Sequence, residues 1–119
     1  MNTFTSRELR AAAGVTPEVL DYWQRTLLVT AEPGGGYTAR SVSLAIVLGQ
    51  AASLGAAGPV LAHIAAALPG PMADWPEHLY VTSHGAVHLG DDAPSAIVLH
   101  VRRVLAHAGP MLHHALSAA

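Results

Sequence analysis

Cysteine is absent from the 119-residue chain, which excludes both a disulfide framework and a thiolate zinc site. Lysine is absent as well, and the six basic residues are all arginine. Against eight acidic residues they leave a formal net charge of −2, so the chain carries no basic arm of the kind that binds nucleic acid by charge alone. Charge of either sign is scarce. Only 12% of residues are charged, where about 25% is usual for soluble domains, and 51% are apolar. Such a surface predicts that part of the apolar area is covered by a partner chain.

From Ser41 to Ala73 no residue is charged, a stretch long enough to span a bilayer. Gly55, Gly58 and Pro59 interrupt it, and Gln50 and His63 add polar groups. Two buried helices joined by a tight turn account for this pattern better than a membrane span. Met1 is followed by polar residues and not by a basic segment and an apolar run, which predicts a cytoplasmic protein.

What is present starts with residues 14–28, GVTPEVLDYWQRTLL. Thr16 suits an N-cap, Pro17 the first helical position, and Glu18 the positive end of the helix dipole. Val19, Leu20, Trp23 and Leu27 recur at helical spacing and predict one inward stripe on a helix from Pro17 to Leu28. Upstream, Thr5-Ser6-Arg7-Glu8 has the form of a capping box, opening a first helix over 5–13 that ends before Gly14. Leu9, Ala12 and Ala13 form its inner face. Helix, turn and helix give the outline of a helix-turn-helix.

Val29-Thr30-Ala31 reads as a short strand, residues 32–36 as a glycine turn, and Tyr37 as the returning strand of a minimal wing. Thr38 caps a third helix over Ala39–Leu54. It is apolar on two faces: Leu44, Val47, Leu48, Ala51 and Leu54 on one, Val42, Ile46 and Gly49 on the other. A second copy of the chain is the expected cover for the second face. A fourth helix, Val60–Leu68, turns Val60, Leu61, Ile64 and Leu68 inward. Pro69-Gly70-Pro71 marks a boundary.

Beyond it the period changes to alternation. A Ser83-His84-Gly85 loop pairs Leu79 with Leu89 and Val81 with Val87 in a hairpin. Residues 95–100 lean to strand over helix, and Arg102 onward reads as helical with Val104, Leu105, Leu112 and Leu116 inward.

Several chemistries find no support. The eight histidines show no helical HxxxH and no HExxH pattern, and His84 and His88 fall on opposite sides of a predicted hairpin loop, so no metal site is expected. Asp91-Asp92 falls in a predicted turn and reads as a bend cap. Glycines 34–36 precede no Gly-Lys-[Ser/Thr], so they form no phosphate loop. Trp23 and Trp75 read as core aromatics. Neither enzyme activity nor a cofactor is expected.

In GVTPEVLDYWQRTLL the chain resembles the MerR family of bacterial winged-helix regulators. The family's pattern there is roughly G-V-[ST]-x-x-x-L-R-Y-[YW]-[EQ]-R-x-G-L-[LI]. Gly14, Val15, Thr16, Leu20, Tyr22, Trp23, Gln24, Arg25 and Leu28 fit it. Tyr37-Thr38 is similar to the family's Tyr-[Ser/Thr] ahead of the third helix, and Ala51-Ser53-Leu54-Gly55 to its L-x-x-L-G close. The resemblance covers residues 4 to about 68.

It implies that the second helix enters the DNA major groove with the wing beside it. Tyr22, Arg25, Tyr37 and Arg40 then fall near the DNA backbone, Thr16 caps the reading helix, and Glu18 lies at its base-reading start. The chain departs from the pattern at Asp21, where the family has arginine, and Glu18 stands at an often basic position. Its wing is short and free of arginine, and the long dimerising helix of many members is missing.

The expected fold is therefore α+β, mainly α. A MerR-like winged helix-turn-helix of four helices and a short wing occupies residues 1–68. A linker covers 69–77, and a β-hairpin with a helical tail over 78–119 serves dimerisation. The function implied is a small DNA-binding transcriptional regulator acting on double-stranded DNA as a homodimer. The alternative is a winged-helix adaptor that binds a protein partner and has lost DNA binding.

Overall fold

The structure is a computed structural model that describes residues 3–56, 58–68, 75, 78–81, 87–89 and 97–101. Within them the chain is mainly helical, of the α+β class. The elements run α1 (Ser6–Ala13), α2 (Pro17–Arg25), α3 (Ala39–Ser53), α4 (Gly58–Ala66), β1 (His78–Val81), β2 (Val87–Leu89) and β3 (Ile97–His100).

Local chemistry starts the first three helices where the sequence places them. The Thr5 hydroxyl accepts from Glu8 N at 3.1 Å, and the Glu8 carboxylate accepts from Thr5 N at 2.9 Å, which closes the capping box. Thr16 Oγ1 accepts from Val19 N, and Thr38 Oγ1 from Ser41 N. Each cap is worth about 1 kcal/mol.

The helices end by one device. Past α3, Gly55 is left-handed at φ 100°, with Gly55 N donating to Ala52 O and Ala56 N to Ala51 O. Past α1, Gly14 is left-handed at φ 68°, and Val15 N donates to Arg10 O. Past α2 the same pair of bonds forms, Leu27 N to Gln24 O and Leu28 N to Trp23 O. There the left-handed residue is Leu27, at φ 61°. Helix α2 thus stops at Arg25, three residues short of Leu28. Leu27 leaves the inward stripe and is 76% exposed, while Leu28 and Val29 turn back to the core.

Helix α3 is the centre of the core. Val42 through Leu48 are buried without a break, as is Ala51, which covers the helix all round. Helices α1 and α4 and strand β3 pack on it. Both apolar faces are therefore covered within one chain, and the second face calls for no second copy. Leu54, expected in the first stripe, caps the helix end and is exposed. Gly49 sets the distance to α1: a Cβ there would lie 2.5 Å from the Ala13 carbonyl oxygen. On α4, Leu61 and Ile64 are buried, as is Leu68 beyond it, and Val60 is half-buried. Among the described residues no helix is long and apolar enough to cross a membrane.

The three strands form an antiparallel sheet of order β2-β1-β3. Its register pairs Leu79 with Leu89 and Val81 with Val87, as the alternation predicts. Residues 97–100 are strand, pairing Leu79 with Leu99 and Val81 with Ile97. Leu79, Val81, Val101 and Trp75 are buried in the same core as the helices. The hairpin loop 83–85, Asp91-Asp92 and the helix expected from Arg102 onward lie outside the described residues, as does most of the 69–77 linker.

The wing differs from expectation. Residues 29–31 form no strand, and Tyr37 pairs instead with Phe4 in a single antiparallel bridge (Phe4 N to Tyr37 O 2.8 Å, Tyr37 N to Phe4 O 2.9 Å). The loop between is closed by Glu32 N to Gly36 O and Gly35 N to Glu32 O, and of its three glycines only Gly35 has positive φ. The chain's own N-terminal segment supplies the missing strand.

Candidate nucleic-acid interface

Helix α2 has two unlike sides. Leu20 and Trp23 anchor the inner side, 4% and 1% exposed. With these inward, the 100° step of a helix turns Glu18, Asp21, Tyr22 and Arg25 outward, and all four are exposed. Thr16 is exposed at the helix start with its hydroxyl engaged in the cap.

Along this face the two carboxylates differ. Asp21 Oδ2 lies 3.2 Å from Arg25 Nε, an i,i+4 ion pair with both side chains more than half exposed. In water such a pair is worth only a few tenths of a kcal/mol, so Asp21 restrains Arg25 only weakly. Glu18, among the described residues, has no ion pair and no side-chain hydrogen bond. The two residues expected to oppose phosphate binding thus present one neutralised carboxylate and one open acceptor.

Tyr22 sits at one edge of the face, 47% exposed. Its hydroxyl reaches the start of α4, where a Cβ on Gly58 would come within 3.2 Å of it. Beside it an open hollow of about 360 Å³ lies between α2, the end of α3 and α4, lined by Glu18, Val19, Tyr22, Trp23, Ala52, Gly58 and Leu61. Glu18 is its one charged residue.

Two expected contacts are turned away from this face. Tyr37 is 2% exposed, and its hydroxyl accepts from Gln24 Nε2. It is a core residue that ties the wing to α2, and burial removes it from a phosphate-facing surface. Arg40 is half-buried at the start of α3. Its guanidinium donates to Leu68 O at 2.9 Å and lies 5.7 Å from the Trp75 ring centre. It satisfies a carbonyl at the end of α4 and packs on an indole, a positioning role for α3 and α4. Sequence periodicity carries no sign of either partner, because both lie far along the chain.

Among the described residues no three His, Asp or Glu side chains gather for a metal. No protein-family model matches the chain, and neither does any curated protein.

Proposed function

We propose that the chain is a small transcriptional regulator with a MerR-like winged helix-turn-helix, binding duplex DNA through the outer face of α2. The observation that carries this reading is the row of Glu18, Tyr22 and Arg25 on an exposed, well-capped helix, held from behind by Leu20 and Trp23. Leu27 adds support. It stands where the family pattern has glycine and adopts the left-handed φ that glycine serves there.

In this reading Arg25 and Tyr22 bind phosphates and fix the register, while the first turn of α2 meets the base edges. Tyr37 and Arg40 act from behind, holding the wing and α4 in place. One such helix reads few bases, so the chain acts as a homodimer, pairing through the sheet tail and not through the enclosed α3. Cytoplasmic location goes with this role.

A protein-binding adaptor is the second reading, favoured by the apolar hollow beside Tyr22 and the acidic Glu18 at its rim. Fluorescence-anisotropy titration against mixed-sequence duplex DNA across a salt series separates the two. DNA binding gives a log K that falls linearly with log salt, by about 0.9 per phosphate contacted. An adaptor gives no binding even at low salt.

A further inference from the structure

Among the exposed residues of α2, Glu18 alone pairs a base-reading position with an open acceptor. It lies one residue inside the helix start, which is where a recognition helix meets base edges. Thr16 is occupied by its cap bond, Pro17 has no polar side-chain group, and Asp21 lies past the first turn of the helix. The first turn therefore presents one hydrogen-bonding group to a base, and an ionised carboxylate can only accept.

That restricts the base. Guanine offers acceptors at O6 and N7, and thymine an acceptor and a methyl group, so both repel or ignore a carboxylate. Adenine and cytosine each offer an amino donor. The adenine N6 amino lies between two acceptors, its own N7 and the O4 of the paired thymine. The cytosine N4 amino has an acceptor on one side only, the O6 of the paired guanine. The carboxylate meets less repulsion at cytosine.

Resting on the DNA-binding reading, we infer that Glu18 is a specificity-determining residue that selects cytosine at one position of each half-site. The same charge weakens contact with every other sequence, because a carboxylate that finds no amino donor faces only acceptors and phosphates. Glu18 lowers general affinity and restores it at the cognate base. This gives a reason for a carboxylate on a DNA-facing helix.

The test is selection of bound duplexes from a randomised library by the full chain and by Glu18→Gln and Glu18→Arg. Glu18 is exposed, so both variants are expected to keep the wild-type helical circular dichroism. The expected wild-type result is a position fixed as cytosine, favoured about fivefold to tenfold over other bases. At that position Glu18→Gln moves the preference to adenine and Glu18→Arg to guanine, each by its two-point pairing with the new base. Glu18→Gln also binds random duplex more tightly than wild type. Selection of one unchanged motif by all three proteins overturns the inference and leaves the DNA-binding reading intact. Failure of all three to retain any duplex at low salt overturns both.

Discussion

Helices α2 and α3 begin alike and end in opposite roles. Each follows a threonine in extended backbone, φ −83° at Thr16 and φ −73° at Thr38, whose hydroxyl caps the N–H three residues on. After the cap they diverge. Helix α2 buries Leu20 and Trp23 and shows water its charges, whereas α3 has no charged residue after Arg40 and is enclosed on every side from Val42 to Leu48. The cap decides where a helix starts, and the residues behind it decide what the helix is for. Here α3 is scaffold and α2 is the surface that scaffold presents.

Substitutions sharpen this contrast, beginning with the scaffold. Leu48→Ala, at a fully buried position of α3, is expected to lower the unfolding free energy by about 3 kcal/mol in urea titration. Gly49→Ala pushes a Cβ into the Ala13 carbonyl and is expected to cost about 2 kcal/mol by the same measurement, α1 moving off α3. On α2 the effects shrink. Thr16→Ala removes a cap and costs about 1 kcal/mol, visible as a lower thermal midpoint.

Leu27→Gly reverses the sign. It relieves a left-handed leucine and is expected to raise stability by up to about 1 kcal/mol, since the exposed side chain buries little. Arg25→Ala changes stability least, by under about 0.5 kcal/mol. It is nevertheless expected to weaken DNA binding several-fold and to reduce the salt slope by about one per protomer. A large loss of stability from Arg25→Ala would break the division between scaffold and surface.

What was legible in the sequence was local. Thr5 with Glu8, Thr16 and Thr38 announce helix starts because a cap needs only residues three apart. The hairpin register follows from alternation at Leu79, Val81, Val87 and Leu89. What was not legible depends on distant partners. Alternation cannot reveal that Phe4 bridges Tyr37, nor that Arg40 turns to Leu68 and Trp75. The apolar content of α3 says that both faces are covered, but not that α1, α4 and β3 of the same chain do it. Leu27 fits a helical stripe by spacing, yet the helix stops two residues before it. Of the residues expected at the DNA, α2 keeps Thr16, Glu18, Tyr22 and Arg25 exposed. Tyr37 and Arg40 are drawn toward the interior.

The most direct measurement is an amide chemical-shift titration of the isotope-labelled chain with short mixed-sequence duplexes at low salt. Binding through α2 predicts shifts concentrated from Thr16 to Arg25 and at the glycine loop 34–36, with α3 unmoved. An unchanged spectrum, or shifts confined to the β-sheet with α2 silent, would contradict it.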